Sequence, residues 1–134
     1  MAQVMKSRTL TVSIEASARE VYAFASNPAN LPLWAPGFCR AIEFVKGEWV
    51  VQTPDGHASI RFVTANEYGV LDHYVRLASG AEIYSPMRVI ANGAGSEVMF
   101  TLFQTPGMPD ESYAEDARLV EGDLRRLKSV VEGN

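Results

Sequence analysis

Between Phe38 and Gln104 the chain is a succession of short runs rich in Val, Ile, Phe, Tyr and Thr, cut by turn residues every ten or so positions. That punctuation fits antiparallel hairpins. Lys46-Gly47, Thr53-Pro54-Asp55-Gly56, Ala65-Asn66-Glu67, Ser79-Gly80 and Asn92-Gly93-Ala94-Gly95 supply the connections and predict six strands. A further strand precedes them from Lys6 to Ile14, where Leu10, Val12 and Ile14 alternate with Thr9, Thr11 and Ser13 as a half-buried strand requires. Pro106-Gly107-Met108-Pro109 closes the last strand. Beyond it, Tyr113, Ala117, Val120, Leu124, Leu127 and Val131 recur in steps of three and four and form one apolar stripe. A helix from Glu111 to Val131, capped by Asp110, acidic at its start and basic at its end, would be roughly 30 Å long and cross a small sheet.

Two shorter helical signals lie between the first strand and the hairpins. Ser17-Ala18-Arg19-Glu20 matches a capping box and opens a helix burying Val21, Phe24 and Ala25. Asn27-Pro28 repeats the start signal, and Pro32 limits this second helix to about one further turn. With 134 residues, 47% hydrophobic and 21% charged, the chain has the size and apolar content of one folded domain spanning 1–134. A formal charge of −4 offers nothing to nucleic acid or an anionic membrane. No run approaches the roughly 18 apolar residues of a membrane helix, and the N-terminus lacks a signal-peptide core, so a cytoplasmic protein without membrane insertion is expected. Cys39 stands alone, and two histidines without a carboxylate at ligand spacing predict no metal site.

One strand, two short helices, a six-stranded antiparallel run and a long terminal helix describe a helix-grip fold. The residues sharpen the likeness. Val12–Phe24 (VSIEASAREVYAF) followed by Asn27–Trp34 (NPANLPLW) resembles the opening of the START-like (SRPBCC) superfamily, especially its polyketide cyclase/dehydrase branch. Gly69–His73 (GVLDH), Pro86–Val89 (PMRV) and Gly95–Phe103 (GSEVMFTLF) look like small bacterial members. The resemblance implies an α+β helix-grip fold, with a seven-stranded curved antiparallel sheet wrapped around the terminal helix and a cavity between them. It implies neither a cofactor nor one activity, because the superfamily holds lipid carriers, hormone receptors, cyclases, ring hydroxylase subunits and chaperone cofactors.

Turn positions give a first estimate of which polar side chains face that cavity. If Asn66-Glu67 centres its turn, Ile60 faces His73 and Phe62 faces Leu71; across Ser79-Gly80, His73 faces Pro86 and Leu71 faces Arg88. His73, Tyr84 and Arg88 then share a face, and Pro86 faces Thr101. The opposite face would hold Met87, Val89, Val98, Phe100 and Leu102, too apolar to leave in water, so the register slips by one at some bulge. Two arrangements stay open: a cavity lined by His73, Tyr84, Arg88 and Thr101, or one lined by Asp72, Tyr74, Met87, Val98, Phe100 and Leu102. The blander alternative is an outward ladder pairing Arg61 with Asp72 and Arg88 with Glu97.

In the first arrangement His73 is the acid-base candidate, with Arg88 and Tyr84 as oxyanion stabilisers. Phe24, Trp34, Phe38, Trp49, Phe62, Phe100, Thr101, Tyr113 and Val120 are the candidate ligand-binding residues, spread over the short helices, strands and terminal helix. His57 reads as an exposed turn residue, Cys39 as an inert apolar one, and Gly93–Val98 as a hairpin turn rather than a phosphate loop. The expected partner is a small hydrophobic or aromatic molecule. An enzyme of the cyclase/dehydrase kind and an interaction module forming a homodimer are the competing classes.

Overall fold

The computed structural model describes residues 2–133. Along the chain lie β1 (Lys6–Ile14), α1 (Ala18–Ala25), a 3-10 turn (Pro28–Asn30), α2 (Leu31–Trp34), β2 (Ala41–Val45), β3 (Glu48–Thr53), β4 (Gly56–Phe62), β5 (His73–Leu77), β6 (Glu82–Ser85), β7 (Met87–Asn92), β8 (Gly95–Gln104) and α3 (Asp110–Glu132). The strands form two antiparallel sheets, ordered β1-β8-β7 and β2-β3-β4-β5-β6. The α+β architecture is the one the sequence predicts, with eight strands instead of seven.

Pro86 accounts for the difference. The run from Glu82 to Asn92 reads as one strand, but proline lacks the N–H a ladder needs. β6 therefore ends at Ser85 against β5, and β7 begins at Met87 against β8, while the Pro86 carbonyl accepts the Thr101 N–H at 3.0 Å. The buried carboxylate of Asp72 fills the break. It accepts the Met87 N–H at 2.8 Å and both Nε and a terminal nitrogen of Arg88 at 3.0 Å. Burial acts to raise its pKa, but the Arg88 guanidinium and the Met87 amide outweigh that and hold the carboxyl below the usual value.

The sheets stay joined beside this break. Residues 69–71 run antiparallel to β7, with Val70 opposite Arg88, Leu71 N–H on the Met87 carbonyl and Val89 N–H on that of Gly69. The backbones approach so closely that a Cβ on Gly69 would lie 2.1 Å from the Val89 oxygen, and its φ of +73° already favours glycine. Asn66 organises the preceding turn, accepting the Tyr68 and Val70 N–H groups on Oδ1 and donating from Nδ2 to the Thr64 and Val70 carbonyls. Tyr22 of α1 accepts the Asn66 N–H and ties the turn to the first helix. This is a ten-residue connection, 63–72, not the tight turn the sequence suggests.

The helices follow their signals, with one correction. Ser17 accepts the Glu20 N–H, and Asn27 accepts that of Ala29. Pro109, not Asp110, occupies the cap of α3; Asp110 is its first residue and accepts Gln104 Nε2 at 2.8 Å. Gly133, at φ +81°, closes the helix. α3 packs across β1 and β8 and against α1 and α2, burying Tyr113, Ala117, Leu124 and Leu127.

Candidate functional site

Register assigns every strand residue to one of two faces. Across the five-stranded sheet the inner rows read Ile42–Val51–Ala58–Leu77, then Phe44–Trp49–Ile60–Val75–Ile83, then Phe62–His73–Ser85. The three-stranded sheet continues with Leu10–Phe100–Met87 and Val12–Val98–Val89. Apart from Thr53 beside its turn, His73 and Ser85 are the polar side chains of those five-stranded rows, and both are buried. The outer rows carry Glu43, Ser59, Arg76 and Glu82, then Arg61, Tyr74 and Tyr84.

This separates the expected trio. His73 faces inward, while Tyr84 and Arg88 face outward and are exposed. The one-residue slip expected at a bulge comes instead from a longer β5–β6 hairpin loop, where Leu77 pairs with Ala81 and leaves three loop residues, Ala78-Ser79-Gly80, instead of two. One extra residue inverts parity: His73 meets Ser85, and Tyr84 meets Tyr74. The 63–72 connection also moves His73 opposite Phe62 rather than Ile60. Neither cavity arrangement stands whole. His73 lies inside with Met87, Val98, Phe100 and the half-buried Leu102, whereas Thr101 faces out, hydrogen-bonded to Thr9 at 2.8 Å.

The outer face is a ladder, with partners other than those expected. Arg88 pairs with Asp72, Glu97 accepts from Ser13 and Asn92, and Arg61 lies 4.7 Å over the Tyr74 ring. Tyr74 stacks on Tyr84 at 5.2 Å and Tyr84 on Phe103 at 6.2 Å, so the aromatic row bridges the two sheets. The Tyr84 hydroxyl reaches the edge of the Asp72 carboxylate at 3.5 Å.

On the inner face His73 is fixed. Its ring lies 4.8 Å from Phe62 and 5.7 Å, edge-on, from Phe100. Nδ1 sits 3.0 Å from the Leu71 carbonyl, which can only accept, so Nδ1 carries the proton. Burial drives the ring's pKa below its ordinary value and keeps it neutral. Nε2 is left as a lone-pair acceptor without a partner among the described residues, and Ser85 Oγ likewise makes no hydrogen bond there. Trp34 Nε1 is a buried donor with no acceptor, and Ser96 Oγ is also unpaired.

Of the aromatic candidates, Trp34, Phe100 and Tyr113 are buried, and the Tyr113 hydroxyl donates to the Leu102 carbonyl. Phe24, Phe38, Trp49, Phe62 and Val120 pack against the same core yet remain half-exposed. Ser85 is absent from the sequence-derived candidates, and Gly80 closing a three-residue loop together with Pro86 is the signal that could have found it. His57 is exposed, and burial pushes the Cys39 thiol up to about 11. Among the described residues no group of three His, Cys, Asp or Glu could hold a metal ion, and no helix is long and apolar enough to cross a membrane. Two surface depressions lie away from His73. One of about 120 Å³ is bordered by Glu48, Arg61, Tyr74 and Arg76, the other of about 410 Å³ by Ser13, Asn92, Gly95 and Lys128.

No protein family and no curated protein matches the sequence. Solved structures do match its fold. XoxI from Bacillus cereus is 17% identical with a TM-score of 0.75, over 95% of this chain and 96% of its own. A START superfamily protein from Mycobacterium smegmatis is 12% identical with a TM-score of 0.68, over 95% and 97%. The di-domain ARO/CYC BexL from the BE-7585A biosynthetic pathway is 19% identical with a TM-score of 0.72, over 96% of this chain and 47% of its own. The chain thus has the helix-grip fold of the START-like superfamily, as its sequence motifs imply.

Proposed function

We propose that this protein binds a small hydrophobic or aromatic molecule between the five-stranded sheet and α3. One observation carries the reading: a largely apolar inner face presents a neutral, orientation-locked histidine with an unused lone pair, its ring against the half-exposed Phe62, while Phe24, Phe38, Trp49 and Val120 pack half-exposed against the same core. Ligand sites have this composition, mostly apolar with a few directing polar groups. Covering roughly 300 Å² of ligand apolar surface would contribute about 7 kcal/mol before association costs. Native mass spectrometry of freshly purified protein, with organic extraction, tests it. A stoichiometric small molecule released on denaturation, or uptake from a hydrophobic panel, is the expected result; an apo mass with no uptake overturns it.

The His73 lone pair also favours a second reading, an enzyme of the cyclase/dehydrase kind in which Nε2 removes a proton alpha to a carbonyl. Likeness in fold to the ARO/CYC protein is consistent with this. Tyr84 and Arg88, on the opposite face, do not belong to that site, so oxyanion stabilisation would fall to Ser85, the cross-strand partner of His73. Loss of turnover without loss of affinity in His73→Gln distinguishes enzyme from carrier.

A further inference from the structure

We infer that the preferred ligand is an uncharged aromatic alcohol or phenol, its hydroxyl held between His73 Nε2 and Ser85 Oγ, and that carboxylates are rejected. The inference rests on the proposed interior binding and adds the chemistry that selects among hydrophobic molecules. His73 and Ser85 are direct cross-strand partners on the inner face, a placement that sets their Cβ atoms about 5 Å apart. Their capacities are complementary. Because Nδ1 is committed to Leu71, Nε2 can only accept, whereas the Ser85 hydroxyl can donate and accept. A ligand hydroxyl satisfies both at once, giving its hydrogen to Nε2 and receiving one from Ser85. A ketone or ether could meet Ser85 but would set its own lone pairs against Nε2.

Charge excludes the acids. Arg61, Arg76 and Arg88 project from the outer rows, and no lysine or arginine stands in the inner rows of the five-stranded sheet. Lys6 and Arg8 share the inner parity of β1 but are exposed at the start of that strand. On α3, burial raises the pKa of Asp116 and, against its ion pair with Arg126, that of Asp123. An acceptor-only carboxylate beside Nε2 would be desolvated without compensation. The ring requirement comes from Phe62 and Phe100, which flank His73 as aromatic walls, with Phe62 half-exposed.

Three probes of one shape test this: naphthalene, 2-naphthol and 2-naphthoate, titrated into the intact protein at neutral pH by calorimetry. We expect 2-naphthol to bind about tenfold tighter than naphthalene, the worth of one good hydrogen bond, and 2-naphthoate to bind least. His73→Phe and, independently, Ser85→Ala should bring naphthol to within about twofold of naphthalene in the same variant. Equal binding of naphthalene and naphthol, naphthoate binding as tightly as naphthol, or a preference that survives both substitutions overturns the inference and leaves interior binding standing. No binding of any probe overturns the interior-binding reading and the inference with it.

Discussion

The two faces of the five-stranded sheet are built from alternate residues of the same strands, yet they solve opposite problems. The outer face satisfies polar groups with one another: Arg88 with Asp72, Arg61 with Tyr74, Arg76 with Glu82. Most of these pairs are solvated and each is worth little. The inner face is apolar and leaves two uncharged polar atoms, His73 Nε2 and Ser85 Oγ, without partners among the described residues. A buried polar group normally finds a partner within the fold. The outer face therefore meets its polar groups with ion pairs, ring contacts and solvent, and the inner face has capacity left for something else.

Substitutions should respond accordingly. Phe100→Ala removes a buried ring between the two sheets and should lower unfolding free energy by about 4 kcal/mol in urea titrations. A loss as small as that of a surface residue would mean the inner face is not the core. Asp72→Ala should cost about 2 kcal/mol although its side chain joins the outer ladder, because the Met87 N–H beside Pro86 loses its acceptor. Glu82→Ala should cost under about 0.5 kcal/mol, since its 3.7 Å pair with Arg76 is exposed.

Between these lies a pH effect. The folded-state pKa of His73 is depressed, chiefly by burial, so its contribution to stability is present above the unfolded histidine value of about 6.5 and is lost as pH falls below it. The wild type should lose stability through mildly acidic pH, and His73→Phe should lose less. Asp116 and Asp123 act in the opposite sense at lower pH, and comparing the two proteins at each pH cancels them.

Local signals carry most of the fold. The Ser17 and Asn27 caps, the α3 stripe, the two-residue Lys46-Gly47 turn and the positions of β1 and β8 are all determined by near neighbours, and they appear where the pattern puts them. The face of His73 is legible only up to parity. Parity depends on whether the Ser79-Gly80 hairpin loop holds two residues or three, and both lengths are compatible with a glycine there. The role of Asp72 depends on Pro86, distant in sequence, interrupting a strand that otherwise reads as continuous. That one-residue ambiguity is also what groups Arg88 and Tyr84 with His73 in the sequence pattern.

The most direct test is nitrogen NMR of the His73 ring, recorded alone and with 2-naphthol. The expected result is a neutral ring protonated at Nδ1, with an unprotonated Nε2 whose shift moves when naphthol is added, while Arg88 side-chain signals stay in place. A proton on Nε2, free titration near the ordinary histidine value, or a naphthol response confined to Arg88 and Tyr84 would contradict it.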